Sequence, residues 1–375
     1  MAVWPLRASQ HDLERIDNHV AGIADLQRQL LDRASLMKLP DRVAHQYQIA
    51  GGKVTLTIAA TLPNNLAGVG LFEPGATHTG IGRVSTGIGC PHAETGPDFL
   101  GLRLAFQSST GARVDFIAIN DPAAPTDTHA QFMHLLAATA AGAGEGVAAS
   151  GAHLIAGLIA SLGPLAGARI AGHVLHQTAR AALSSTAFQT YWTGIEETGG
   201  IAGKFVIEPE TPANHHRALS AGRRHLTDDW RARQAIGPIR FNLYWIPFID
   251  AEATSLDELT HPWTERRHPV GTVTFPQSDP ASEDAAQWFA LAAEMGANPG
   301  NWVHDRGDTI REPATEFGVA RKFAYRLSQQ GRDVLPESLY AQVFRTGAID
   351  AGLAAELVRR RARKRELGHV DANLP

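Results

Sequence analysis

Arg321 and Tyr325 stand four residues apart in the run Arg321-Lys322-Phe323-Ala324-Tyr325. On a helix that spacing puts both side chains on one face, one turn apart. A guanidinium so placed favours the ionised form of a phenol, a group that ordinarily titrates near ~10. A phenolate binds iron, and tyrosine is among the axial ligands of haem. Taken alone, the pair also fits a plain helix face with a core tyrosine bonded to a nearby acceptor. Three earlier pieces add chemistry. Arg42-Val43-Ala44-His45 sets an arginine three before a histidine, Arg83-Val84-Ser85-Thr86-Gly87 follows a glycine-rich turn, and Asp115 to Pro122 carries Asn120. Imidazole can take and return a proton near neutral pH. An asparagine amide can orient a ligand by donating to it. Arginine forks suit carboxylates.

The elements that must hold these residues are legible in outline. Apolar residues at helical spacing predict a helix over residues 10–38, stopped by Pro40. Alternation in Lys53-Val54-Thr55-Leu56-Thr57-Ile58 predicts a half-buried strand to Ala60, with further strands at 81–86, 102–107 and 114–119. Residues 130–183 read as helical and Ala-rich, broken by Gly144, Gly146 and Pro164. Strands return at 203–208, 239–249 and 270–275, and helices follow at 283–296, 313–330, 335–345 and 350–366. Two groups of antiparallel-type strands around a helical insertion indicate an α+β chain with a closed or nearly closed β-barrel and helices outside it.

Composition narrows the function. The chain has 375 residues and a formal net charge of -4, a balance that calls for neither nucleic acid nor anionic lipid. Its single cysteine, Cys90, excludes an intrachain disulfide, a multi-cysteine zinc site and a cysteine-held iron–sulfur cluster. Beside Pro91 it reads as a lone turn cysteine. No basic start precedes an apolar run at Met1, so no secretory leader is expected, and a cytoplasmic location is the expectation. The most apolar stretch, 153–172, carries Pro164 and Arg169 and fits a helix pair better than a membrane span. His173-x-x-His176 reads as a helix face and His215-His216 as a polar loop. The basic run Arg359 to Arg365 reads as a solvated helix end favoured by the helix dipole. No phosphate loop, dinucleotide fingerprint or serine elbow occurs.

In their order, the four pieces resemble the haem-dependent catalases. That family carries an Arg-x-x-His with the distal histidine, an Arg-Phe-Ser-Thr run, an Asn-Asn-Thr-Pro run with the distal asparagine, and a late Arg-x-Phe-Ser-Tyr run with the proximal tyrosine. The resemblance covers about residues 40–330. It implies an eight-stranded antiparallel barrel with haem b between the barrel and the helix at 313–330. It also implies that Tyr325 is the iron ligand, that Arg321 keeps it ionised, that His45 is the distal base and that Asn120 orients peroxide. Arg42 and Arg83 would hold the haem propionates, and Phe132 would cover a haem face. The plain alternatives are a surface or structural role for His45, a turn role for Asn120 before Asp121-Pro122, and ion pairing of Arg42 and Arg83 with Asp41, Glu73 or Glu94. The expected division is an N-terminal helical arm over 1–40, the haem-binding barrel and helices over 41–332, and a helical tail over 333–375. The chain resembles a minimal relative, and with so short an arm a homodimer is the expected assembly.

Three departures from the family pattern stand out. The family's second asparagine is Ile119 here, and a basic position is Leu100, with Arg103 nearby but at a different place in the alternation. Before His45 stands Ala44, where catalases commonly carry valine and the similar coral-type allene oxide synthases carry threonine. The resemblance therefore implies an oxidoreductase acting on hydrogen peroxide or organic hydroperoxides, with an electron donor that the sequence does not identify. A fatty-acid hydroperoxide lyase or isomerase on the same scaffold, or a non-catalytic haem carrier or sensor, are its alternatives.

Overall fold

The structure, a computed structural model, describes residues 10–33, 42, 44–87, 94, 98–142, 147–181, 185–198, 200–211, 222, 224–302 and 315–367. Nine strands form one sheet: β1 (Gln48–Ile58), β2 (Thr77–Thr86), β3 (Leu100–Gln107), β4 (Arg113–Ile119), β5 (Tyr191–Thr193), β6 (Glu196–Thr198), β7 (Ile201–Pro209), β8 (Ile239–Pro247) and β9 (His268–Phe275). All the pairings are antiparallel, in the order β5-β4-β3-β2-β1-β9-β8-β7-β6. A further pairing of β5 with β7, through Tyr191↔Ile207 and Trp192↔Val206, closes eight of the strands into a barrel. Closure removes the exposed sheet edges. The predicted α+β barrel with surrounding helices is the fold observed.

Period-two alternation explains both faces of this barrel. Leu100, Leu102, Leu104 and Phe106 of β3 point inward and join Val114, Phe116, Phe205, Phe241, Leu243 and Trp245 in the main core. Phe205 lies 4.5 Å from Trp245, tilted 45° to it, and meets Phe116 edge-on at 5.2 Å. Trp302 enters the same core, 5.0 Å from Phe116, and its indole N–H donates to Thr198 Oγ1 at 2.6 Å. The outward positions of β2 and β3 include Arg83, Ser85, Gly101 and Arg103.

The insertion comprises α3 (His129–Ala141), α4 (Val147–Leu162) and α5 (Pro164–Ala181), which pack on one another through Leu135, Leu154, Leu158, Ile170 and Val174. A capping box of Thr128 and Gln131 starts α3. Pro164 opens α5 after Gly163, whose φ of 82° turns the chain. The predicted breaks at Gly144 and Gly146 lie outside the described residues, as do Cys90 and His215-His216. The helix predicted over 10–38 is two, α1 (Gln10–Val20) and α2 (Gly22–Arg33), interrupted where Gly22 weakens the helix. The sequence reading missed β5, β6 and α6 (His225–Ile236). Three-residue strands carry no usable period.

Helices α7 (Glu283–Glu294), α8 (Glu316–Gln330), α9 (Glu337–Thr346) and α10 (Ala351–Glu366) close the chain. The basic run on α10 does more than face solvent. Arg360 and Lys364 pair with the buried Glu294 at 3.0 and 2.6 Å and dock α10 on α7.

Helix α8 is held to the barrel through the segment 297–301. Asp115 of β4, fully buried, accepts from Asn298 N at 3.0 Å, Asn301 Nδ2 at 2.8 Å and Arg113 Nη2 at 2.7 Å. From the same segment, Asn298 Nδ2 donates to Lys322 O of α8 at 3.2 Å, and Ala297 O accepts from the Gln329 side chain. Removing one partner of a buried pair costs about 3–5 kcal/mol because the other charge is stranded. Asp115→Ala should lower stability by about that amount in urea titrations; a loss below ~1 kcal/mol would show that this anchor is dispensable.

Candidate functional site

A cavity of about 640 Å³ lies against the outer face of the barrel, covered by α3, α4, α5 and α8. Its size falls within the range of about 300–1,000 Å³ typical of small-molecule sites. Strand register builds its floor. Ser85 pairs with Gly101, Gly101 with Ile119, Ile119 with Trp192 and Trp192 with Val206. These five residues form one row across five strands, and the first four line the cavity. Six of the seven sequence-predicted site residues line it too: Arg42, His45, Arg83, Phe132, Arg321 and Tyr325.

Asn120 does not, although its neighbours Ile119 and Asp121 do. Its Oδ1 accepts from Leu100 N at 2.8 Å, and its Nδ2 lies 3.5 Å from Gln189 Oε1. In this structure Asn120 secures the start of β3.

His45 is held in an uncommon way. Its φ of 58° lies in the left-handed region, sparsely populated by residues other than glycine. Such a backbone persists when its surroundings over-determine it. Here His45 N donates to Gly87 O at 2.9 Å, and Arg83 Nη2 donates to His45 O at 2.8 Å. The ring is placed by Ser85 Oγ, 3.2 Å from Nδ1, which leaves Nε2 for other chemistry. The ring also rests on Gly101, where a Cβ would fall 2.5 Å from Nδ1. Burial, then the charge of Arg83, lowers the His45 pKa to about 4. The imidazole is therefore neutral at pH 7 and able to accept a proton.

The arginines are committed to protein partners. Arg83 Nε donates to Gln48 Oε1 at 3.0 Å, and its Nη2 also reaches Gln46 O at 3.1 Å. Arg42 donates to Ala293 O at 2.9 Å. Arg103 donates to Ala292 O and Met295 O at 3.1 and 3.0 Å, so two guanidiniums meet the negative end of α7. Leu100 is buried in the barrel core. Arg103 faces the cavity instead, because the two positions differ in the parity of β3.

Along α8, Phe317, Ala320, Arg321, Ala324, Tyr325 and Ser328 all line the cavity, so the four-residue spacing does place Arg321 and Tyr325 on one face toward one space. Phe317 meets Phe132 edge-on at 5.5 Å. The Arg321 guanidinium packs over Gly194, where a Cβ would sit 2.2 Å from Nη1. Its charge reaches both His45 and the buried Glu196, whose carboxyl burial pushes up to about 8. Gln48, Gly194, Glu196 and Lys204 were not singled out in the sequence. Ser85 and Gly101 lay within recognised runs but were given no role. The others carry no local signal, since their roles arise from contacts between distant strands and helices.

A tyrosine oxygen, an imidazole, arginine forks and an apolar surround form a donor set that fits an iron porphyrin with carboxylate side arms. Among the described residues, no three His, Cys, Asp or Glu side chains cluster as a metal site, and His173 and His176 lie along α5. No helix there is long and apolar enough to cross a membrane.

No protein-family model matches the sequence, and no curated protein matches it. Solved structures do. A fungal catalase superposes with a TM-score of 0.62 at 18% identity, over 79% of this chain and 59% of its own. Catalase A from Saccharomyces cerevisiae gives 0.62 at 14% identity, over 83% and 64%. A bacterial catalase gives 0.60 at 17% identity, over 83% and 60%. The chain thus spans about three-fifths of the length of these catalases, and what they share with it is the fold.

The environment of His45 sets a pH dependence. With a folded pKa near 4 against 6.5 unfolded, the unfolded chain binds the extra proton between those values. The neutral ring's contribution is complete above pH 6.5 and is lost as pH falls toward 4. Urea midpoints at pH 7 and pH 5 should therefore drop more in the parent than in His45→Asn. Equal drops would contradict a buried neutral ring.

Proposed function

We propose that this catalase-fold chain is a haem-dependent oxidoreductase that acts on peroxides. The observation that carries the proposal is that His45, about 280 residues before Arg321 and Tyr325, lines one cavity of ligand size with them. The superpositions on catalases support the fold on which such a site is built.

In this reading Tyr325 would hold the iron, and Arg321 stands one turn before it on the same face of α8. Arg42 and Arg83 line the cavity with His45, and propionates placed there would compete with the protein oxygens these arginines now bond. Phe132, which lines the cavity, would cover part of the macrocycle. When bound, ferric haem supplies the redox centre at which a peroxide O–O bond is cleaved. His45 moves the proton: its neutral ring accepts hydrogen from one peroxide oxygen and returns it to the other as water or alcohol departs. Ser85 holds the ring, and Arg83 holds the backbone that presents it. Asn120, tied to Leu100 N, acts on peroxide only by giving up that bond, so its direct role is the weakest part of the assignment.

Protein expressed with haem supplied should show a Soret band, and Tyr325→Phe should remove or shift it. An unchanged spectrum in that variant would overturn the ligand assignment. His45→Asn should keep the band and lose about 10²–10⁴ in peroxide turnover, the usual scale of general acid–base catalysis. Parental turnover in that variant would overturn the role of His45.

A further inference from the structure

Lys204 lies on β7, almost fully buried, and lines the same cavity. Its position follows from the strand row beneath the site. From Ser85 the row crosses β3, β4 and β5 to Val206, and Lys204 is two residues along β7 on the same face. Four strand spacings of ~4.8 Å put about 19 Å of barrel wall between Ser85 and this point. His45 stands at one pole and Lys204 at the other. The wall between them includes Ile119, Trp192 and Ile195, and the helical cover includes Leu154 and Val174.

A buried ammonium is costly unless it is paired. Lys204 has one hydrogen bond, to Pro122 O at 3.3 Å, and sits 5.0 Å above the Trp263 ring. An ammonium carries three donors, and no second acceptor bonds it among the described residues. Asp121 is the acidic group that acts on it, and that carboxylate already accepts from Ala123 N. Burial lowers the pKa of the amine to about 8, against the opposing charge of Asp121, which leaves the ammonium the favoured form at pH 7. Glu196, whose carboxyl burial pushes up to about 8, is not among the charges that act on it.

The cavity lining is mostly apolar and extends to a residue at the surface. Leu175 of α5 lines it and is 39% exposed. An apolar cavity with a buried cation in its wall fits an amphipathic acid better than a small polar ligand.

We infer that the cavity binds long-chain carboxylic acids, with Lys204 as the counter-ion of the carboxylate and the apolar wall holding the chain. Resting on the peroxide reading above, the substrate class is then the organic hydroperoxide of such an acid, its carboxylate at Lys204 and its peroxide toward His45.

The test compares oleic acid with oleyl alcohol by calorimetry on the full chain, with haem bound and without it. The parent should bind the acid about tenfold or more tightly than the alcohol, the scale of one charge-assisted hydrogen bond. Lys204→Met keeps the unbranched apolar stem, one atom shorter, and should erase that preference, while Lys204→Arg should retain it. Asp121→Asn, which leaves Lys204 in place, should strengthen acid binding. Equal binding of acid and alcohol by the parent overturns the inference, as does an undiminished preference in a folded Lys204→Met. If Lys204→Met does not fold, an unchanged acid affinity in Asp121→Asn overturns it. A Soret band with no acid preference sinks the inference alone. An acid preference without a Soret band sinks the haem reading instead.

Discussion

A strand side chain faces one of two sides, and in this barrel that constraint governs both stability and the site. The inward residues of β3, Leu100, Leu102, Leu104 and Phe106, belong to the core. The outward ones, Gly101 and Arg103, belong to the cavity. A slip of one residue in any ladder would exchange these sets and lose both at once. The closure of β5 on β7 completes the arrangement by carrying one outward row unbroken from Ser85 to Val206.

His45 depends on that floor more than on its own segment. Its left-handed backbone, its ring orientation and its neutral state come from Gly87, Arg83, Ser85 and Gly101, all on or beside β2 and β3. Arg83 has two effects: it clamps the carbonyl of His45, and its charge opposes protonation of the ring. The run around Arg83 is therefore important to the site whether or not its guanidinium meets a bound anion.

The other wall arrives by a separate route. α8 reaches the barrel through 297–301, and Asp115 gathers the polar groups that hold this segment against β4. Trp302, next in the chain, seals the link by entering the aromatic core. Arg321 then closes over Gly194, where only a glycine leaves room for the guanidinium. Core packing, a buried ion pair and one missing side chain together set where Tyr325 stands.

The sequence by itself determined the strand and helix classes, the helical insertion, and the Arg321–Tyr325 face, because periods of two and 3.6 are local properties of a chain. It also marked His45, Arg42, Arg83 and Phe132, which the fold brings to the same cavity. Tertiary structure decided the rest. Only the register across five strands shows that Lys204 and Ser85 share a floor, and only the bond to Leu100 N turns Asn120 aside. The assignment of Arg103 to the site and Leu100 to the core depends on which face of β3 meets the barrel interior. The basic run on α10 becomes a docking surface only because Glu294 lies buried opposite it. These outcomes depend on pairings between residues far apart in sequence, and no local pattern carries them.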